Sequence, residues 1–140
     1  MKLIFAMLLM FSGYAAASCS SINDLDQRAY CAATQEGSAC SSINDHDLRA
    51  RCNSEKDGSD CNSINDHDQR AYCNARKGQG ACNSINDRDM RARCSGENEG
   101  NACSSINDLD QRAFCNARKG GECSSIGDHD LRAQCNAMKH

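Results

Sequence analysis

From residue 19 onward the chain sets one large aliphatic residue at regular intervals in polar surroundings. Ile22, Ile43, Ile64, Ile85, Ile106 and Ile126 follow each other at 21 residues, shortening to 20 before the last. Seven places after each comes an alanine, beginning with Ala29, so the Ile, the position of Asp26 and the Ala share a face at i, i+4, i+7. That is helical spacing, and charged and alanine positions do not alternate with apolar ones as a strand requires. Ser21, with Asp24 three places on, reads as a helix N-cap whose carboxylate suits the helix N-terminus. The same pair recurs as Ser42/Asp45, Ser63/Asp66, Ser84/Asp87, Ser105/Asp108 and Ser125/Asp128. Gly-bearing linkers such as Gln35-Glu36-Gly37 and Lys77-Gly78 are stops. The pattern predicts helices over 22–33, 43–54, 64–75, 85–95, 106–117 and 126–137.

A second period lies in the variable positions. The residue before each second Cys runs Tyr30, Arg51, Tyr72, Arg93, Phe114, Gln134, and three places earlier the series is Gln27, Leu48, Gln69, Met90, Gln111, Leu131. Odd and even repeats therefore meet different surroundings, and the unit is 42 residues. A fixed repeat too small for its own core must stack on its neighbours. The expected fold is all-α: a short α-solenoid of six helices of about 12 residues, paired as three antiparallel αα-hairpins.

Residues 1–17 stand outside the repeat. Lys2, the apolar run Leu3 to Phe11 and Ala15-Ala16-Ala17 read as a secretory signal with a small-residue cleavage site. The run is too short to span a bilayer. The expected mature domain is 18–140, with repeats at 19–39, 40–60, 61–81, 82–102, 103–122 and 123–140. Removing residues 1–17 takes Lys2 and no acid, so the net charge goes from −3 to −4. That argues against bulk electrostatic binding of nucleic acid. Secretion or a periplasmic location is expected, with lipid anchoring at Cys19 as a minor alternative, since Ala16-Ala17-Ser18-Cys19 loosely resembles a lipobox.

All 12 Cys lie in the repeats, and with an export signal that density implies a disulfide framework. The spacing lacks the close Cys pairs of zinc modules. Each repeat offers so thin a core that cross-links, at about 2–4 kcal/mol each, are needed. Two pairings respect the symmetry. Pairing within a repeat, as Cys19 with Cys31, leaves no Cys over, but a straight helix of about ten residues would hold the two roughly 15 Å apart. Pairing across the linkers is favoured on that geometry: Cys31–Cys40, Cys52–Cys61, Cys73–Cys82, Cys94–Cys103 and Cys115–Cys123. It leaves Cys19 and Cys135 as free or intermolecular thiols.

The cluster Asp24-x-Asp26-x-Arg28 and its five copies could suit calcium. No Gly follows to turn a ligand loop, and no bidentate Glu is present, so an i,i+4 Asp–Arg pair and a ladder between helices are preferred. Tyr30, Tyr72 and Phe114 fall 42 residues apart and form one stripe, either core packing or a binding strip for sugars or an apolar partner. His46, His67 and His129 share a slot with Leu25, Arg88 and Leu109, which argues against a metal role. Arg76-Lys77 and Arg118-Lys119 are basic pairs at helix ends. No nucleophile has a fixed partner, so a non-catalytic chain without metal or cofactor is expected.

The run Cys40-Ser41-Ser42-Ile43-Asn44-Asp45-His46-Asp47-Leu48-Arg49-Ala50-Arg51-Cys52 resembles repeats of uncharacterised exported bacterial proteins. The stapled array is similar in architecture to Sel1-like disulfide-rich solenoids. The resemblance implies an exported repeat fold and brings no activity with it. The expected role is binding a macromolecule, a protein or a surface glycan. The alternatives are a structural protein assembling end to end through Cys19 and Cys135, and a secreted inhibitor or toxin-like factor.

Overall fold

The computed structural model describes residues 19–98 and 103–139, so the expected signal segment lies outside the described residues. Six helices account for the regular structure: α1 Leu25–Gln35, α2 His46–Asp57, α3 His67–Arg76, α4 Arg88–Asn98, α5 Leu109–Arg118 and α6 His129–Met138. No strand occurs among the described residues. The all-α, disulfide-stapled solenoid expected from the repeat is the observed fold.

The helices start three residues later than the Ser N-caps predicted. Each Cys-x-Ser forms its own single 3-10 turn, closed by the Ile N–H donating to the Cys carbonyl, as from Ile43 to Cys40 at 3.1 Å. The Ile is extended (Ile43 φ −82°, ψ 122°), and the first Asp of the motif is the true cap. Asp45 accepts the Leu48 N–H at 2.7 Å, and Asp24, Asp66, Asp87, Asp108 and Asp128 do the same for their helices. A short carboxylate caps as well as Ser and adds favourable charge at the N-terminus. The extended Ile leaves its carbonyl without a backbone partner, and the motif Arg supplies one: Arg49 Nη1 donates to Ile43 O at 2.7 Å, Arg70 to Ile64 at 2.6 Å. This replaces the expected Asp–Arg pair.

The late helix start also overturns the expected disulfides. The chain from Cys19 doubles back before α1 begins, so Cys19 comes beside Cys31 with the two Cα atoms 5.7 Å apart. The premise of one straight helix between them fails. The bridges are Cys19–Cys31, Cys40–Cys52, Cys61–Cys73, Cys82–Cys94, Cys103–Cys115 and Cys123–Cys135. The cross-linker pairs Cys31–Cys40, Cys52–Cys61, Cys73–Cys82, Cys94–Cys103 and Cys115–Cys123 do not form. Cys19 and Cys135 are both bonded, and no Cys among the described residues is a thiol.

One contact joins each repeat to the next. The second Asp of the motif, in the first helical turn, accepts two successive backbone N–H groups of the following repeat. Asp26 takes those of Asn44 and Asp45, both at 2.9 Å. Asp47, Asp68, Asp89 and Asp110 repeat this on Asn65/Asp66, Asn86/Asp87, Asn107/Asp108 and Gly127/Asp128. At the opposite ends, Lys77 Nζ donates to Gly58 O at 2.8 Å and Ser59 O at 2.7 Å, and Lys56 and Lys139 reach back likewise to Ser38 and Gly121. Neighbours thus meet N-terminus to N-terminus and C-terminus to C-terminus, so they run parallel. The expected antiparallel hairpins are replaced by this arrangement because each linker carries the chain back to the same end. The 42-residue unit persists in the packing. Tyr30, Ala33, Cys40, Ile43 and Cys52 form one core between α1 and α2, and Tyr72 and Phe114 centre its counterparts.

The sixth copy of the ladder closes the molecule. Asp130 accepts the N–H groups of Asn23 at 2.9 Å and Asp24 at 3.0 Å, and Ala133 and Ala137 of α6 pack on Cys19, Ile22 and Cys31. Six interfaces, each carrying the same Asp clamp, complete a circle. The solenoid is a ring of parallel helices, and its buried Ile residues, at most 1 % exposed, lie between successive repeats.

Candidate functional site

Once the ring is closed, the invariant residues have assigned partners. The Cys are bridged, the Ile is buried, the first Asp caps, the second holds the next repeat, and the Arg takes the Ile carbonyl. The residue before the second Cys is variable, and it faces the ring axis. There an axial cavity of about 480 Å³ takes lining from all six helices.

Around it the series Tyr30, Arg51, Tyr72, Arg93, Phe114, Gln134 alternates aromatic and polar side chains. The Arg51 guanidinium lies 5.1 Å from the Tyr30 centroid and 5.4 Å from that of Tyr72; Arg93 lies 5.1 Å from Tyr72 and 5.7 Å from Phe114. A cation over an aromatic face is attracted by the ring quadrupole. The expected stripe of Tyr30, Tyr72 and Phe114 is therefore not an exposed strip. All three are at most 5 % exposed, and they bend into a circle because the array closes.

Two ion networks extend this circle toward the helix C-termini. Glu55 receives the Tyr30 hydroxyl at 2.5 Å, Arg51 Nε at 3.2 Å and Arg76 Nη1 at 3.0 Å. Glu97 receives the Tyr72 hydroxyl, Arg93 Nε at 3.2 Å and pairs with Arg118 at 3.7 Å. Burial pushes Glu55 up, but Arg51, the Tyr30 hydroxyl and Arg76 together hold it below the usual carboxylate range. Burial, aided by Glu55, pushes Tyr30 up to about 12 against the pull of Arg51. The network is thus ionised at neutral pH with its phenol protonated.

The third place in the circle differs. Phe114 replaces the Tyr, Gln134 the first Arg, Met138 the Glu and Thr34 the second Arg. The sequence reading missed Glu55, Glu97, Thr34 and Met138. The signal was the Arg–Glu spacing of four residues, repeated after 42 and absent at Gln134 and Met138.

At the other end of the ring, the ladder carboxylates give both oxygens to backbone N–H groups. Those N–H groups, foremost Asn65, Asn86 and Asn23, together with the neighbouring His rings, hold Asp47, Asp68 and Asp130 down at about 2. Asp26 and Asp89 are lowered for the same backbone reason. His46, His67 and His129 each stand exposed beside that Asp, with Nδ1 at 3.0 Å. Among the described residues no three potential metal ligands converge. Of the basic pairs, Arg76 and Arg118 turn inward to the Glu residues, and Lys77 ties to the preceding linker.

The fold defines a cysteine-rich repeat protein closed into a ring. Comparison with protein-family models, with curated proteins and with solved structures found no match. Six disulfides point to an oxidising compartment, and no described helix is long and apolar enough to cross a membrane.

Proposed function

We propose that this chain is an exported, non-catalytic binding module whose ring is a rigid mount for a macromolecular partner, a protein or a surface glycan. One observation carries the reading: the invariant polar side chains of the motif are committed to the ring's own backbone, so recognition falls to the variable slots. The slot between the two Asp residues holds Leu25, His46, His67, Arg88, Leu109 and His129, all on the face of helix N-termini. Leu25 and Leu109 are 65 % and 67 % exposed there. A stapled ring that changes shape little on binding loses little entropy to a partner.

The test is affinity capture with the oxidised protein, run beside a Leu25→Asp/Leu109→Asp variant. Retention of one partner by the parent and its loss in the variant supports the reading. No retained partner, or equal retention by both, sinks it.

A further inference from the structure

The circle of axial side chains supplies its own template for a ligand. Tyr72 lies between two guanidiniums, those of Arg51 and Arg93. Tyr30 and Phe114 each have one, on the side of the pattern where an Arg is encoded. Between Phe114 and Tyr30 the chain encodes Gln134 instead. The same step replaces three further groups that crowd the other two places, Tyr to Phe114, Glu to Met138 and Arg to Thr34.

The axial cavity of about 480 Å³ draws most of its wall from this side, from α5, α6 and α1. Leu131 and Met138, packed on the Phe114 core, give it an apolar wall. Asp108, Asp110, Asp128 and Asp130 line its end at the helix N-termini.

We propose that the axial cavity binds an organic cation, a guanidinium or alkylammonium on an aliphatic stem, whose charged head sits between Phe114 and Tyr30. The chain shows twice what fits between two of these rings, and both times it is a guanidinium. Cations are drawn to aromatic faces most strongly where water is excluded. The four Asp and Glu55 outnumber by one the guanidiniums of Arg51, Arg76, Arg93 and Arg118 in the cavity wall, which favours a positive ligand, and the apolar wall suits the stem. The site adjoins the partner face proposed above, since its Asp residues flank Leu109 and His129, but it rests on the axial side chains and not on that reading. The cation comes either as a small molecule or as an Arg or Lys side chain of a partner entering along the axis.

The experiment is an NMR titration of the oxidised full chain, following the Phe114 and Tyr30 ring signals. The probes are methylguanidinium, N-acetyl-arginine amide, a short peptide with one Arg, and benzoate as the anionic control. Saturable shifts with the three cations and none with benzoate are expected. Gln134→Arg, which places the chain's own guanidinium in the gap, is expected to weaken cation binding at least tenfold. Phe114→Leu, which keeps the volume and removes the aromatic face, is expected to weaken it about tenfold, and it serves if Gln134→Arg does not fold. A peptide that binds at least tenfold tighter than methylguanidinium assigns the source to a partner's side chain; equal affinity assigns it to a small molecule. Absence of cation shifts, shifts with benzoate, or full binding by a folded Gln134→Arg overturns the proposal.

Discussion

The α2–α3 and α6–α1 interfaces are built on the same motif, yet they are held differently. At α2–α3 the chain runs across the boundary, so Asp47 holds N–H groups only 18 and 19 residues away. Glu55 binds Arg76 across it at 3.0 Å, and Lys77 ties the C-terminal ends together. At α6–α1 the residues joined by Asp130 are 107 and 106 apart, Met138 and Thr34 stand in place of the ion pair, and Gln35 stands where Lys56 and Lys77 do. What remains is one carboxylate clamp, the Asn23–His129 contact at 3.3 Å, and a small cluster of Ile22, a disulfide and two Ala with Ala32 against it. A ring made from a linear chain always has one interface without covalent help. Here that interface also lacks the ion lock, so the seam is expected to be where the ring opens.

The largest test removes the seam altogether. Deleting residues 123–139 leaves α5 and the first repeat each without a neighbour, and it exposes Phe114 and Ile22. With about 1.5–3 kcal/mol for each large side chain returned to water, the loss is expected to reach about 5 kcal/mol or more, read by denaturant unfolding under oxidising conditions. An open solenoid would lose only its last repeat. A shortened chain that unfolds with nearly the parent's midpoint would show that closure contributes nothing.

Next in size are paired substitutions at equivalent positions. Glu97→Ala leaves the Arg93 and Arg118 guanidiniums without their shared carboxylate. The Glu97 side chain is 5 % exposed and the two Arg side chains 19 % and 26 %. Breaking a buried pair costs about 3–5 kcal/mol, and this partly wet one is expected near 2–3 kcal/mol. Met138→Ala removes only apolar packing from a half-buried site, and about 1 kcal/mol is expected. Equal losses, measured by urea unfolding, would erase the distinction between locked and unlocked places.

The same contrast separates what the sequence made legible from what it did not. Period, helix number, stapling and the odd–even unit follow from spacing, and spacing is in the sequence. Ile22 and Ala29 both pack in cores despite a three-residue error in the helix start, but not on one face: the extended Ile22 joins Cys31 and α6, while Ala29 joins the core around Tyr30 and Ile43. The bridge of Cys19 to Cys31 did not survive that error. Ser21 and Asp24 are both good caps, and the choice between them decides whether the two Cys stand far apart or together. Closure was hidden for a different reason: every repeat carries an Asp26 equivalent, so the local signal for joining is the same in an open array and in a ring. The departures in the first and last repeats, Thr34, Gln35, Gln134 and Met138, mark the place where the ends meet.

The smallest effect is the finest probe of the seam, because it changes local opening more than overall melting. Asp68 and Asp130 are both held at about 2 by the N–H groups they accept, against an ordinary value of 3.8. A carboxylate lowered in the folded state contributes its full stabilisation above the ordinary value and loses it as pH falls toward the lowered one. Both clamps are therefore intact at pH 5 and released between about pH 4 and pH 2. The consequences differ. When Asp68 is protonated, the linker still holds α4 beside α3. When Asp130 is protonated, nothing covalent holds α6 beside α1. Amide exchange followed by NMR down this range is expected to show Asn23 and Asp24 losing protection before Asn86 and Asp87. Asp130→Asn at pH 6 should reproduce the seam loss alone, whereas Asp68→Asn should leave Asn23 and Asp24 protected. If both amide pairs lose protection together in acid, the seam is as well held as the other interfaces, and the ring has no preferred point of opening.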